Sequence, residues 1–339
     1  MDDGSIQIQG DGGTETVQST VSFSLRANGA AVENLTLIGA EDIDGTGNGL
    51  GNTIFGTDGD NLISGLFGND TLLGRSGDDE IYGDQGADFI GGDAGNDFAS
   101  GGSGNDTVEG REGNDTIGGG IGNDSVVGGS GDDFANGGVG NDTVTGDEGK
   151  DTLRGGAGQD RLIGGAGDDN MAGGMNNDTL TGNEGDDVMF GQGGNDVFNG
   201  GEGEDDLNGG AGRDTLNGAD GDDTLVGGSG ADELRGGNGA DVFLFQSFAQ
   251  SRIAGGNFDT ITDFQTGVDL IDLRGLVEGT INFQGLGAVS ANGQAELVLR
   301  EPGGGPDSVV LVDVNGDGTQ DFRINLTGVT GLSETDFLL

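Results

Sequence analysis

Aspartate recurs at every ninth position over a long central stretch: Asp70, Asp79, Asp88, Asp97, Asp106, Asp115, Asp124, Asp133, Asp142, Asp151, Asp160, Asp169, Asp178, Asp187, Asp196, Asp205, Asp214, Asp223, Asp232 and Asp241, with no slip in register. If the aspartate is position 6 of a nonapeptide, position 1 is glycine throughout, from Gly65 to Gly236. Position 4 is glycine in every unit but one, which carries Asn176. Glycine at 1 and 4 is expected to take positive φ and turn the backbone tightly, so that carbonyl oxygens converge. Asparagine tolerates the left-handed region better than other side chains, which suits Asn176. A carboxylate set among carbonyl oxygens is an all-oxygen anionic cluster, the donor set of the hard cation Ca²⁺.

These residues need a scaffold that repeats with them. Position 8 is Leu, Ile, Val, Met or Phe, or alanine at Ala99 and Ala135. Three positions held in phase over such a length define a solenoid repeat. Positions 7 to 9 should form a short strand whose middle side chain points in and whose neighbours point out. Position 8 would then be a stacked core one residue wide.

The unit, as in Gly155-Gly156-Ala157-Gly158-Gln159-Asp160-Arg161-Leu162-Ile163, resembles the RTX or haemolysin-type calcium-binding repeat. That resemblance implies an all-β chain, a right-handed parallel β-roll of about ten two-turn coils with β-rich N- and C-terminal caps. It also implies that Ca²⁺ lies between successive turns along both edges, roughly 18 ions held by the twenty aspartates.

Composition alone would suit a disordered tract: 80 Gly in 339 residues, 31% hydrophobic and a net charge of −49. The phase-locked apolar position argues against disorder. One buried side chain per nine ordered residues falls short of the conformational entropy lost, and stacked aspartates repel. Metal must supply the difference, so binding and folding should be one event. About 18 ions would bring about +36, leaving near −13 of the −49, a tolerable surface charge. The expectation is an expanded chain without calcium and a compact rod with it.

Several functions are excluded by what the chain lacks. It has no His and no Cys, so a His-Glu-x-x-His zinc site, a Ser-His-Asp triad, disulfides and zinc-thiolate sites are all impossible. Gly-x-Ser-x-Gly never completes, because Gly101-Gly102-Ser103-Gly104 runs into Asn105. No catalytic site is evident, and the chain reads as a non-enzyme. Twelve Lys and Arg against 61 Asp and Glu disfavour nucleic acid as a partner. No apolar run is long enough to span a membrane. Met1-Asp2-Asp3-Gly4-Ser5 lacks the basic and apolar regions of a signal peptide. Weak calcium sites in number belong where calcium is near millimolar, outside the cell.

Four regions are expected. Residues 1–50 alternate apolar and polar (Val17, Val21, Phe23, Leu25, Leu35, Leu37) and form an N-terminal β cap. Residues 51–64 are degenerate lead-in turns, with Asn52 and Asn61 on the aspartate register and Ile54 and Ile63 at position 8. The abrupt start also suits a fragment of a longer protein. Residues 65–244 are the roll, and residues 245–339 a C-terminal capping and secretion domain. The runs Asp259-Thr260-Ile261-Thr262-Asp263-Phe264 and Asp336-Phe337-Leu338-Leu339 resemble the C-terminal domain of serralysin-type RTX exoproteins. That resemblance implies a signal for type I secretion by an ABC transporter. In Asp313-Val314-Asn315-Gly316-Asp317-Gly318-Thr319-Gln320-Asp321, the residues Asp313, Asn315, Asp317 and Asp321 match the front of an EF-hand loop. Ile324 stands where the bidentate Glu should be, so a metal-free β-turn is an equal reading.

On the outward positions, Thr71, Thr107, Thr143, Thr179 and Thr215 stand in alternate coils of one face, which suits a solvated strand. Phe98 and Phe134 precede Ala99 and Ala135 and suggest a local in–out swap. The functional expectation is a secreted, extracellular or surface-associated calcium-binding roll with a structural, adhesive or matrix role and a cell-surface or matrix partner. The alternatives are the folding-and-secretion module of a protease, lipase or epimerase, or a toxin-like effector.

Overall fold

The computed structural model describes residues 6–9, 14–28, 32–247, 251, 258–301 and 307–339. Met1 to Ser5 therefore lie outside the described residues. The described residues are strands and turns, with two short 3-10 segments at Leu25–Asn28 and Glu334–Asp336 and no α-helix. The chain divides into two compact units, Met1–Ala172 and Gly173–Leu339. Each is a parallel β-solenoid.

In the first unit, strands on one face run Thr71–Ser76, Phe89–Ala94, Thr107–Glu112, Ser125–Ser130, Thr143–Glu148 and Arg161–Ala166. They pair in parallel at a step of 18 residues, as in Phe89↔Thr107 and Ser125↔Thr143. Leu62–Phe67, Glu80–Gln85, Phe98–Ser103, Thr116–Ile121, Phe134–Val139 and Thr152–Ala157 form the other face in the same way. One coil is therefore two nonapeptides. The strands cover six residues rather than three, because pairing continues through positions 1 to 3 of the next unit.

Position 8 is the core. Leu72, Ile81, Ile90, Val108, Val126 and Val144 are fully buried in the first unit, as are Leu180, Met189, Leu216 and Leu225 in the second. Ala99 and Ala135 also point inward and are buried, while Phe98 is 42% exposed and packs its ring 5.7 Å from that of Tyr82. The in–out swap expected there does not occur. A narrow core accepts alanine at two rungs more readily than it would reverse a strand whose every neighbour fixes the alternation.

Parallel pairing begins before the repeat does. Thr16–Ser19 pairs with Asn34–Leu37, and that strand with Thr53–Phe55 and so with Thr71–Ser76. Phe23–Ser24, Gly45–Thr46 and Leu62–Phe67 stack likewise on the other face. Val17, Leu35 and Ile54 supply the buried column here.

In the second unit the ladder leaves the repeat. Glu233–Asn238 pairs with Asp259–Ile261, which pairs with Phe322–Leu326. Val242–Leu244 pairs with Leu270–Asp272, which pairs with Phe337–Leu338. Glu296–Arg300, Ser308–Asp313 and Phe322–Leu326 form an antiparallel sheet, so the C-terminal region couples a meander to the last coils.

Candidate metal-binding ladder

Glycine does two different things in the turn. Position 4 takes positive φ, for example +143° at Gly86 and +141° at Gly104, as expected, and Asn176 follows at +77°. Position 1 does not: Gly65, Gly74 and Gly101 have ordinary backbone angles. The expectation of positive φ at position 1 is corrected to one of space. A methyl carbon on Gly101 would lie 2.5 Å from Asp106 Oδ2 and 2.6 Å from the carbonyl oxygen of Gly119, and one on Gly209 2.5 Å from both Asp214 Oδ2 and Gly227 O. A carboxylate oxygen and a carbonyl oxygen from the next coil thus crowd one point that only glycine leaves open. The second left-handed residue is position 2, and it is left-handed even where it is not glycine, as at Leu66, Arg75, Asp84, Arg111 and Gln192.

The repeat aspartates are all buried, none more than 4% exposed. Within each unit, an aspartate donates its backbone N–H to Oδ1 of the aspartate one coil later. On one edge of the first unit Asp70 bonds Asp88 at 2.7 Å, Asp88 bonds Asp106 at 2.8 Å and Asp106 bonds Asp124 at 2.8 Å. On the other edge Asp79 bonds Asp97 at 2.8 Å, Asp97 bonds Asp115 at 2.8 Å and Asp115 bonds Asp133 at 2.7 Å. The second unit repeats this, as in Asp196 to Asp214 at 2.8 Å and Asp205 to Asp223 at 2.9 Å.

One oxygen per carboxylate is thereby used. The other is not. Oδ2 is buried and accepts no hydrogen bond at Asp70 through Asp151 in the first unit, and at Asp196 through Asp241 in the second. A buried carboxylate oxygen without a donor is expensive, and it recurs along both edges at the rungs just named. Burial accordingly pushes these acids up. Asp79, Asp133, Asp205, Asp214 and Asp223 reach about 7, and Asp70, Asp97, Asp106, Asp142 and Asp241 about 6. The accepted backbone N–H pulls each partly back, and repulsion from neighbouring aspartates adds to the rise.

A cation is the group that fits this arrangement. Orphaned Oδ2 atoms face carbonyl oxygens across a cradle that a single Cβ would fill, and all the donors are oxygen. Among the described residues no three His, Cys, Asp or Glu side chains cluster as a metal site, so backbone carbonyls must complete each cage.

The asparagines of the same register behave differently. Asn52 and Asn61 donate their N–H to Asp70 Oδ1 at 2.6 Å and Asp79 Oδ1 at 2.7 Å, like any rung. Their own Oδ1 accepts from Asn48 N–H at 2.8 Å and Thr57 N–H at 2.7 Å. Their Nδ2 donates to Val32 O and Glu33 O, and to Ile43 O. Neither has an orphaned atom.

At the other end two acids outside the nonapeptide continue the ladders. Asp232 N–H bonds Asp259 Oδ1 at 3.0 Å, and Asp241 N–H bonds Asp269 Oδ1 at 3.2 Å. Position 5 forms an outer ladder as well: Asn105 Oδ1 accepts Asn123 N–H at 2.9 Å, and Asn123 Oδ1 accepts Asn141 N–H at 2.8 Å. Its signal in the sequence was the excess of Asn and Asp immediately before each position-6 aspartate.

The Asp313 loop is differently built. Asp313 Oδ1 accepts Gly316 N–H and Oδ2 accepts Gly318 N–H, both at 2.7 Å. Asn315 and Asp317 accept from Asp317 N–H and Thr319 N–H, and Asp321 from Val314 N–H. Its oxygens are turned to its own amides.

Residues 46–81, 55–90, 64–99, 91–126, 118–153, 145–180, 173–207, 181–216 and 217–245 match the family model of the RTX calcium-binding nonapeptide repeat (4 copies), more than half of the chain. The chain belongs to the RTX calcium-binding repeat family. Ca²⁺ is therefore the cation that the repeats of this RTX protein bind. Among solved structures, one subunit of the Azotobacter vinelandii mannuronan C5-epimerase is 26% identical, with 52% of this chain and 80% of that chain covered and a TM-score of 0.26. A second subunit of that epimerase is 27% identical, with 50% and 91% covered and a TM-score of 0.31. No curated protein matches the chain. Among the described residues no helix is long and apolar enough to cross a membrane.

Proposed function

We propose that this RTX protein is a secreted roll that folds on binding Ca²⁺ outside the cell and serves a structural, adhesive or matrix role. The observation that carries the reading is the column of buried, donorless Oδ2 atoms. The position-6 aspartates from Asp70 to Asp241 hold the ions, with position-1 carbonyls of the neighbouring coil, at roughly one ion per inter-coil step on each edge. When bound, Ca²⁺ supplies positive charge that neutralises the stacked carboxylates. The chain supplies the rest: Oδ1 fixes each rung to the coil before it, glycine leaves the cradle open, and position 8 excludes water behind it. The Asp313 loop is left out of this set, because its carboxylate oxygens are taken by amides.

Export by a type I transporter is part of the same proposal. It is supported by the serralysin-like runs Asp259–Phe264 and Asp336–Leu339, with Phe337–Leu338 paired to Leu270–Asp272. A partner at the surface or in the matrix would meet the outward positions 7 and 9.

The test is far-UV circular dichroism and hydrodynamic radius in chelator and then during titration to about 10 mM Ca²⁺, which spans weak RTX-type sites. A cooperative coil-to-β transition with compaction is expected. A chain fully folded in chelator overturns metal-driven folding.

A further inference from the structure

The family match ends at residue 245, yet the ladder does not, and its two edges end differently. Asp259 is fully buried. Its Oδ1 accepts the N–H of Asp232 at 3.0 Å, as Asp223 accepts from Asp205 and Asp241 from Asp223. Its Oδ2 is buried and accepts no hydrogen bond, and the same is true of Asp232 Oδ2. Two buried carboxylates on adjacent rungs, each with an oxygen lacking a donor, need a positive charge beside them if both are to be ionised.

The corresponding acid of the other edge shows the contrast. Asp269 Oδ1 accepts Asp241 N–H at 3.2 Å, but its Oδ2 accepts Gln265 N–H at 2.6 Å. That edge ends satisfied.

We propose that Asp232 and Asp259 form a terminal calcium site that lies beyond the last nonapeptide and ties the C-terminal sheet to the roll. The connections to that sheet are short. Asp259 N–H donates to Ser251 Oγ at 2.8 Å, and Ser251 Oγ bonds the carbonyl of Arg323. Strand Asp259–Ile261 lies between Glu233–Asn238 and Phe322–Leu326, paired in parallel with both. An ion at Asp259 therefore fixes the strand that joins the repeat to the antiparallel meander. Filling this site makes the order of the C-terminal region depend on calcium, although that region has no repeat of its own. The inference rests on calcium binding by the repeat aspartates.

The experiment compares the full chain with Asp259→Asn and Asp269→Asn. Asparagine keeps one carbonyl oxygen as an acceptor and removes the charge. Bound Ca²⁺ is counted by native mass spectrometry, and hydrogen exchange is followed over 258–261 and 322–326 as calcium is lowered. Asp259→Asn should bind one ion fewer, and these strands should lose protection at higher calcium than in the unmodified chain. Asp269→Asn should keep the full count. An unchanged count in Asp259→Asn, or equal effects of the two substitutions, overturns the terminal site while leaving the repeat ladder standing. Absence of bound calcium in the unmodified chain overturns the ladder itself.

Discussion

Asn61 and Asp79 occupy the same place in successive coils of one edge. Both are buried, and each passes its N–H to the next carboxylate. They differ in one side-chain atom. In Asn61 the oxygen beside the glycine cradle is Oδ1, which accepts Thr57 N–H at 2.7 Å, while the amide nitrogen donates to Ile43 O at 2.8 Å and Thr57 Oγ1 at 3.0 Å. In Asp79 the oxygen in that place is Oδ2, and it has no donor. The stacked backbone is common to both, and a donor for the cradle oxygen decides whether a coil is complete by itself or needs an ion. The first coils of the solenoid are complete; those of the repeat are not.

The largest effect should come from removing calcium. Hydrogen exchange in chelator should show protection lost by orders of magnitude from Asp70 to Asp151, with a smaller loss around Asn52 and Asn61. Equal loss in both regions would erase the distinction. Next is Gly104→Ala. Its Cβ would overlap the carbonyl oxygen of Gly86 at a φ of +141°, so calcium titration should show a weakened, less cooperative transition. Ala87→Ser, on an exposed turn position, is the control and should leave the titration unchanged.

Acidity sharpens the comparison from another side. Burial raises Asp79, Asp133 and Asp214 from 3.8 to about 7. A group whose folded value exceeds its unfolded one favours folding most below the unfolded value, and this advantage is lost as pH rises through the folded one. The calcium-free chain should therefore gain β-structure by circular dichroism as pH falls from about 8 to about 4, with most of the change between about 7 and 4. With calcium present the sign reverses, because protons and ions compete for the same oxygens. The calcium concentration at half-transition should rise as pH falls through about 7 to 6. Smallest is Asn61→Asp. In calcium it should bind one more ion with little change in stability, and in chelator it should cost about 2 kcal/mol by chemical denaturation.

Much of this site was legible in the sequence, because a nine-residue period fixes which side chains stack whatever the details of the turn. Asp70 to Asp241 all lie on the ladder, and position 8 is the core. Four features were not legible, each for a physical reason. The positive φ of Leu66, Arg75 and Gln192 leaves no mark, since residues of any type stand there. The role of Gly65 or Gly101 was misread, because a close approach from another coil and a left-handed backbone both select glycine. Asp259 was missed as a rung because it bonds across 27 residues instead of 18, with no glycine pattern to carry the register. The parallel strands Thr16–Ser19 and Asn34–Leu37 likewise lack the aspartate that would have announced them.

The two edges end differently, and this gives the molecule a parity. Rungs on either edge repeat every 18 residues, whereas one edge finishes at Asp259 with an open oxygen and the other at Asp269 with a closed one. Two nonapeptides added or lost within a unit restore the same edge to the same ending. A single nonapeptide exchanges the edges and presents each terminal acid with the wrong column. Repeat number in such a chain should drift by twos, and an odd step should be tolerated only if the C-terminal strands are rebuilt with it.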